Sequence, residues 1–203
     1  DEGSKIAVTS AISSLKSYLV DGINFDGKVK EDILRRVFIL SLDKINSEAR
    51  NQGIESSDFL TTLTVAVYDV DTHELVFGHS GDGGLVALTT NGELENLTNR
   101  SKVTGQALNY VRPLADVSAW TFGKTSNIAA FAMMTDGVYD LVSPVYRELQ
   151  NYKYRNYIPF FEPLFYSVLQ NQQQTEQKKS SWIDLLNSDD FRKKVTDDIS
   201  LVA

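Results

Sequence analysis

The sequence predicts an α+β fold, and three observations carry that expectation. Two amphipathic helical segments follow one another at the start. The middle of the chain is rich in Thr and Val and is punctuated by turn residues. Strands do not alternate with helices as βαβ units require, so the sheet is a meandering, largely antiparallel one.

Residues 4–20 carry Ile6, Ala7, Ala11, Ile12, Leu15 and Leu19 at helical spacing, with Ser4 as cap and Asp21-Gly22 as the stop. Residues 30–50 repeat the pattern with Ile33, Leu34, Val37, Phe38, Leu40, Ser41, Ile45 and Ala49, ended by Asn51-Gln52-Gly53. From Phe59 to Tyr68 the run Thr61, Thr62, Thr64, Val65, Val67 favours a pleated, half-buried surface. Asp69-Val70-Asp71-Thr72 reads as a hairpin turn, and residues 74–79 as the returning strand. Gly81-Asp82-Gly83-Gly84 interrupts it before residues 85–89 resume, and Asn91-Gly92 is a two-residue hairpin signal. Residues 116–122 and 127–134 add two strands. After Asp140 the chain reads as helical and aromatic, with Tyr146, Tyr152, Tyr154, Tyr157, Phe160, Phe161, Phe165 and Tyr166 expected mainly in the core. Residues 170–179 read as an exposed loop or helix end, Ser188-Asp189-Asp190 as the cap of a short helix, and Ile199 to Ala203 as a final strand.

Composition narrows the function classes. A length of 203 residues fits one domain spanning 1–203, and 42% hydrophobic with 23% charged residues is ordinary for a globular core. The net charge of −7 argues against nucleic acid or an anionic membrane as partner and is compatible with cations. Without Cys, disulfides, thiolate chemistry and Cys-based zinc sites are excluded, and two His exclude a His-rich one. A metal here would be held by oxygen, which means magnesium, manganese or calcium. No run approaches the roughly 20 apolar residues of a membrane helix. No signal peptide is visible, so a cytoplasmic protein is expected. The opening Asp1-Glu2-Gly3-Ser4, with no initiator Met, reads as a processed, cloned or partly ordered segment.

Three acidic strand ends stand out. Asn127 to Met134 reads as a buried apolar strand that ends in Thr135-Asp136-Gly137, with Asp140 four residues on at a helix start. A carboxylate delivered by a buried strand is costly without a cation, and few Lys or Arg lie nearby in sequence. Gly81-Asp82-Gly83 and Asp197-Asp198 mark the other two ends. Each alone can be a turn: Asp82 in a tight turn, Asp197 before the last strand, Asp140 against the positive end of a new helix.

In this order the motifs resemble the metal-dependent protein phosphatases of the 2C type, in particular their small bacterial members. Residues 57–63 look like the family's Thr-rich strand start, and residues 77–84 like its valine-glycine-aspartate turn. Thr135-Asp136-Gly137-Val138-Tyr139-Asp140 is similar to its Ser-Asp-Gly-x-x-Asp motif, and residues 197–202 to its C-terminal Asp-Asn-x-Thr strand. Asp1 to Ala7 looks like the start of the first helix, just past the family's N-terminal Asp-Gly. The resemblance implies a four-layer αββα sandwich and hydrolysis of phosphoserine or phosphothreonine in proteins by metal-activated water. It implies two magnesium or manganese ions, with a third, weaker site. By position, Asp136 and Asp197 would hold the catalytic pair, and Asp82 and Asp140, with Asp136, the third site. No protein nucleophile is expected. The implied partners are a phosphorylated protein and a protein kinase.

The chain departs from the family in three ways. The first two motifs and the phosphate-holding Arg would precede Asp1. Gly83-Gly84 stands where Ser-Arg is usual, and Asp198 where Asn is usual. A second reading is therefore a phosphatase-like binding or regulatory module without turnover. A third, a calcium-binding structural domain, lacks a contiguous acidic loop. His79 lies near Asp82 but, as a lone strand histidine, is read as structural.

Overall fold

The structure is a computed structural model that describes residues 2–20, 27–98, 113–148, 151–170, 175–195 and 199–203. Helices α1 (Glu2–Val20) and α2 (Gly27–Gln52) are followed by strands β1 (Leu63–Asp69), β2 (Glu74–Ser80), β3 (Gly84–Thr89) and β4 (Leu94–Asn96). Then come β5 (Thr121–Thr125), β6 (Ile128–Met134), α3 (Asp136–Val142), β7 (Val145–Glu148) and β8 (Asn151–Tyr154). Helices α4 (Ile158–Leu169), α5 (Thr175–Asn187) and α6 (Asp189–Arg192) precede β9 (Leu201–Val202). The fold is α+β, built of helices and antiparallel sheets, as the sequence predicts. The chain forms two compact units, Asp1–Asp82 with Arg100–Asn127 and Gly83–Asn99 with Ile128–Ala203. Each contains helices packed on an antiparallel sheet, and the second also holds the two-stranded β7–β8 sheet.

In the first unit the sheet order is β1-β2-β5. The turn after β1 is closed by Asp69, whose Oδ1 accepts from the N–H groups of Asp71 (3.0 Å) and Thr72 (3.2 Å). Helix α2 ends in Gly53 at φ +68°, with Gly53 N–H donating to Arg50 and Ile54 N–H to Ala49. This is the left-handed stop for which glycine is suited. Ala7 and Ala11 are buried, and their small side chains let α1 approach α2 closely enough for Ser41 Oγ to donate to the Ala7 carbonyl. Phe38 is fully buried and meets Trp120 and Phe122 edge-on at 5.5 and 5.2 Å. These contacts use the ring quadrupoles as well as the buried area.

In the second unit the order is β4-β3-β6-β9. Strand β3 pairs with β6 from Gly84 opposite Met134 to Leu88 opposite Ala130, and β9 flanks the end of β6. Val138, Tyr139 and Val142 of α3 pack with Phe160, Phe161, Leu164 and Phe165 of α4 and with Phe191.

Four expectations are corrected. Ile12 and Leu40 lie outside the core, because they sit off the stripes set by Ala7/Ala11 and Leu34/Val37/Phe38. Ser56–Phe59 and Val117–Ala119 are 3₁₀ turns rather than strand, the first burying Phe59. Residues 145–154 form the β7–β8 hairpin instead of helix, since Val145 and four Tyr or Arg residues up to Tyr154 pair across strands. Of the aromatic cluster, Phe160, Phe161 and Phe165 are core, whereas Tyr157 and Tyr166 are exposed. The Asp21-Gly22 stop lies outside the described residues.

Truncating Phe38 to Ala should cost about 3–5 kcal/mol, because the cavity faces two rigid rings that cannot collapse into it. Urea unfolding of Phe38→Ala against the parent protein measures this.

Candidate metal centre

Strand β6 buries Ile128, Ala130, Ala132 and Met134 on one face and leaves the alternate residues half-buried. It ends at Thr135, which is clasped by the last strand's entry. Thr135 N–H donates to Ser200 O (3.1 Å), and Ser200 N–H donates to Thr135 Oγ1 (2.9 Å). Thr135 occupies the cap position of α3, but its hydroxyl serves Ser200 and makes no side-chain cap bond. The adjacent Asp136 takes part of that duty: its Oδ1 accepts from Gly137 N–H at 2.9 Å. Asp136 is half-buried and Asp140 exposed one turn later. Residues four apart on a helix are neighbours, so α3 presents both carboxylates on one side. As the fifth residue of α3, Asp140 lies beyond the first turn, where the helix's positive end is felt. The helix-dipole reading therefore suits Asp136 rather than Asp140.

The other two predicted ligands are placed differently. Asp197 lies outside the described residues; Ser200, three positions later, is the residue bonded to Thr135. Asp82 is half-buried in the first unit, at the turn that follows β2. Among the described residues no three His, Asp or Glu side chains gather as a cation site. The donors on α3 are two hard carboxylates. That fits magnesium or manganese, which keep several waters and use one or two protein carboxylates.

The glycines around Asp82 have physical reasons. Gly81 has φ +139°, and a Cβ there would overlap Thr62. A Cβ at Gly83 would stand 2.7 Å from the Met134 carbonyl oxygen, and one at Gly84 would fall onto the Tyr139 ring. Backbone and ring thus occupy the space where larger residues would begin.

His79 is structural, as a lone strand histidine is expected to be. It is buried at 3% exposure. Its Nε2 lies 3.0 Å from the Gly81 carbonyl, which can only accept, so Nε2 carries the proton. Nδ1 then accepts from the Thr64 hydroxyl at 2.8 Å. Burial lowers the imidazole pKa to about 4, against the opposing pull of the Gly81 hydrogen bond and the Asp82 charge. His79 is a neutral clasp on the turn that carries Asp82, not a proton donor at neutral pH. The only sequence signal for it was its position two residues before Gly81.

The family model described as protein phosphatase 2C matches residues 1–183. The chain belongs to the protein phosphatase 2C family. The matched segment includes Asp82, Asp136 and Asp140 and ends before Asp197. No curated protein matches the sequence. Among solved structures, the phosphatase domain of the cell fate determinant SpoIIE from Bacillus subtilis is a distant likeness. It has 12% identity and a TM-score of 0.36, over 95% of this chain and 71% of that one. A phosphatase 2C domain hydrolyses phosphoesters, which makes this chain a member of a hydrolase family. Among the described residues, no helix is long and apolar enough to cross a membrane.

The buried His79 gives this phosphatase 2C member a stability term with a defined sign. The unfolded chain gains a proton near pH 6.5, and the folded one only near pH 4. Stability should therefore fall as pH drops through that window, by up to about 3 kcal/mol. Urea unfolding without added divalent cations, from pH 7 to pH 4.5, should show this decline, and His79→Gln should flatten it.

Proposed function

We propose that this chain is a metal-dependent protein serine/threonine phosphatase using magnesium or manganese, with Asp136 and Asp197 as ligands of the main pair. Asp82 and Asp140, with Asp136, would serve the third, weaker site. The observation that carries the reading is the pair Asp136 and Asp140, one turn apart on α3 at the end of β6, inside the segment matched by the family model.

Divalent ions, when bound, supply Lewis-acid stabilisation of phosphate oxygens and a water acidic enough to attack at neutral pH. The chain's own residues prepare for that. The Gly137 N–H holds the Asp136 carboxylate in one orientation, which reduces the ordering needed when a cation arrives. The Thr135–Ser200 clasp fixes where α3 begins and sets the segment following Asp197 against that point. His79 holds Gly81 and so restricts the backbone that presents Asp82. No side chain is required as nucleophile, which agrees with the absence of Cys. The substrate class would be phosphorylated proteins, supplied by a protein kinase.

Two outcomes check this reading. Manganese should support hydrolysis of a small aryl phosphate and of phosphothreonine peptides, and chelation should abolish both. Asp136→Ala should weaken manganese binding by calorimetry and lower turnover by at least about 100-fold. Unchanged binding would remove Asp136 from the site, and binding without turnover would favour the regulatory-module reading.

A further inference from the structure

Tyr139 lies between Asp136 and Asp140 on α3 and is fully buried. Its ring packs where a Gly84 side chain would otherwise be and faces Tyr154 at 5.5 Å. Its hydroxyl accepts from Asn96 Nδ2 at 3.0 Å and also bonds Thr98 and Tyr154. Asn96 Oδ1 in turn accepts from Asn156 Nδ2 (2.9 Å), and Asn156 Oδ1 accepts from Ser143 Oγ (2.7 Å). Ser143 is itself buried and follows the last residue of α3. A single polar chain therefore runs from the middle of α3, through Asn96 at the end of β4, to the segment after β8, and back to the residue that follows α3.

A buried polar chain of this kind is costly to build unless every member is satisfied. Val138 and Val142 pack α3 against the core through apolar contacts. Apolar burial is non-directional, however, and by itself sets the rotation of the helix only loosely. A seven-residue helix has little stability of its own to resist this. A turn by one residue position, about 100°, would carry both carboxylates away together. A directional bond to the Tyr139 hydroxyl, with the ring held between Gly84 and Tyr154, opposes that turn.

We propose that the Tyr139–Asn96–Asn156–Ser143 network is a positioning device that sets the rotation of α3, so that Asp136 and Asp140 are presented together to a divalent cation. Gly84 provides the space the device needs. This rests on the reading of Asp136 and Asp140 as metal ligands.

Manganese affinity measured by calorimetry, together with amide exchange across α3 in metal-free protein, tests it. Tyr139→Phe should weaken manganese binding by about tenfold, the lower end of what losing an outer-shell partner costs a metal site. It should also speed exchange of the Val138 and Tyr139 amides. Asn96→Leu should do the same, and the double variant should be no weaker than either single one. Phe161→Leu, which loosens the same core without touching the network, should leave the affinity unchanged. If Tyr139→Phe fails to fold, Asn96→Leu and Ser143→Ala carry the comparison. A folded Tyr139→Phe or Asn96→Leu with the parent affinity overturns the positioning role alone, as does an equal loss in Phe161→Leu. A parent protein that binds no manganese overturns the metal reading and this proposal with it.

Discussion

Two hydrogen bonds between Thr135 and Ser200 fix where β6 gives way to α3 in the second unit. They join the end of an interior strand to the entry of the last one. A strand in that position is paired on both sides, so its end cannot shift without breaking ladders with β3 and β9. The helix that follows inherits a fixed origin. Its first residue, Asp136, is a carboxylate in a half-buried place, already accepting a backbone N–H. A charge so placed is favoured by the positive end of the helix that begins there.

The glycines around Asp82 answer to two different constraints. Gly81 is needed for its backbone, at a positive φ that L side chains rarely adopt, and Thr62 fills the space beside it. Gly84 is needed for its emptiness, because Tyr139 lies over it. The departure from the usual Ser-Arg at residues 83 and 84 thus has a steric explanation inside the second unit. Met134 and Tyr139 claim the volume, and the ring brings a polar network with it. At Gly83 the obstacle is the Met134 backbone carbonyl, and at Gly84 it is the Tyr139 ring.

Polar burial is resolved in the same manner in both units, by giving each group a partner of the right sign. His79 is neutral and saturated, donating to a carbonyl and accepting from a hydroxyl. Tyr139 keeps its proton, since burial pushes its pKa well above the ordinary value. Neither group contributes charge to the surroundings of the carboxylates. Both act through geometry, which is what a buried group that does not ionise can offer.

Local physics made much of this legible in the residues. The stripes of α1 and α2, the Asp69 and Asn91-Gly92 turns, the strand ending at Asp136 and the Ser188 cap all rest on contacts within a few residues, which periodicity and turn chemistry report directly. The family resemblance was legible because its densest motif, residues 135–140, is contiguous. Other features depended on residues far apart in the chain. The hairpin at 145–154 was decided by cross-strand pairing and the exposure of Ile12 by the stripe that α2 selects. The clasp of His79 by Thr64, the space taken by Tyr139 over Gly84 and the meeting of Thr135 with Ser200 came only with the folded chain. A pattern along the sequence records which face of an element is apolar; it does not record which distant atom that face will meet.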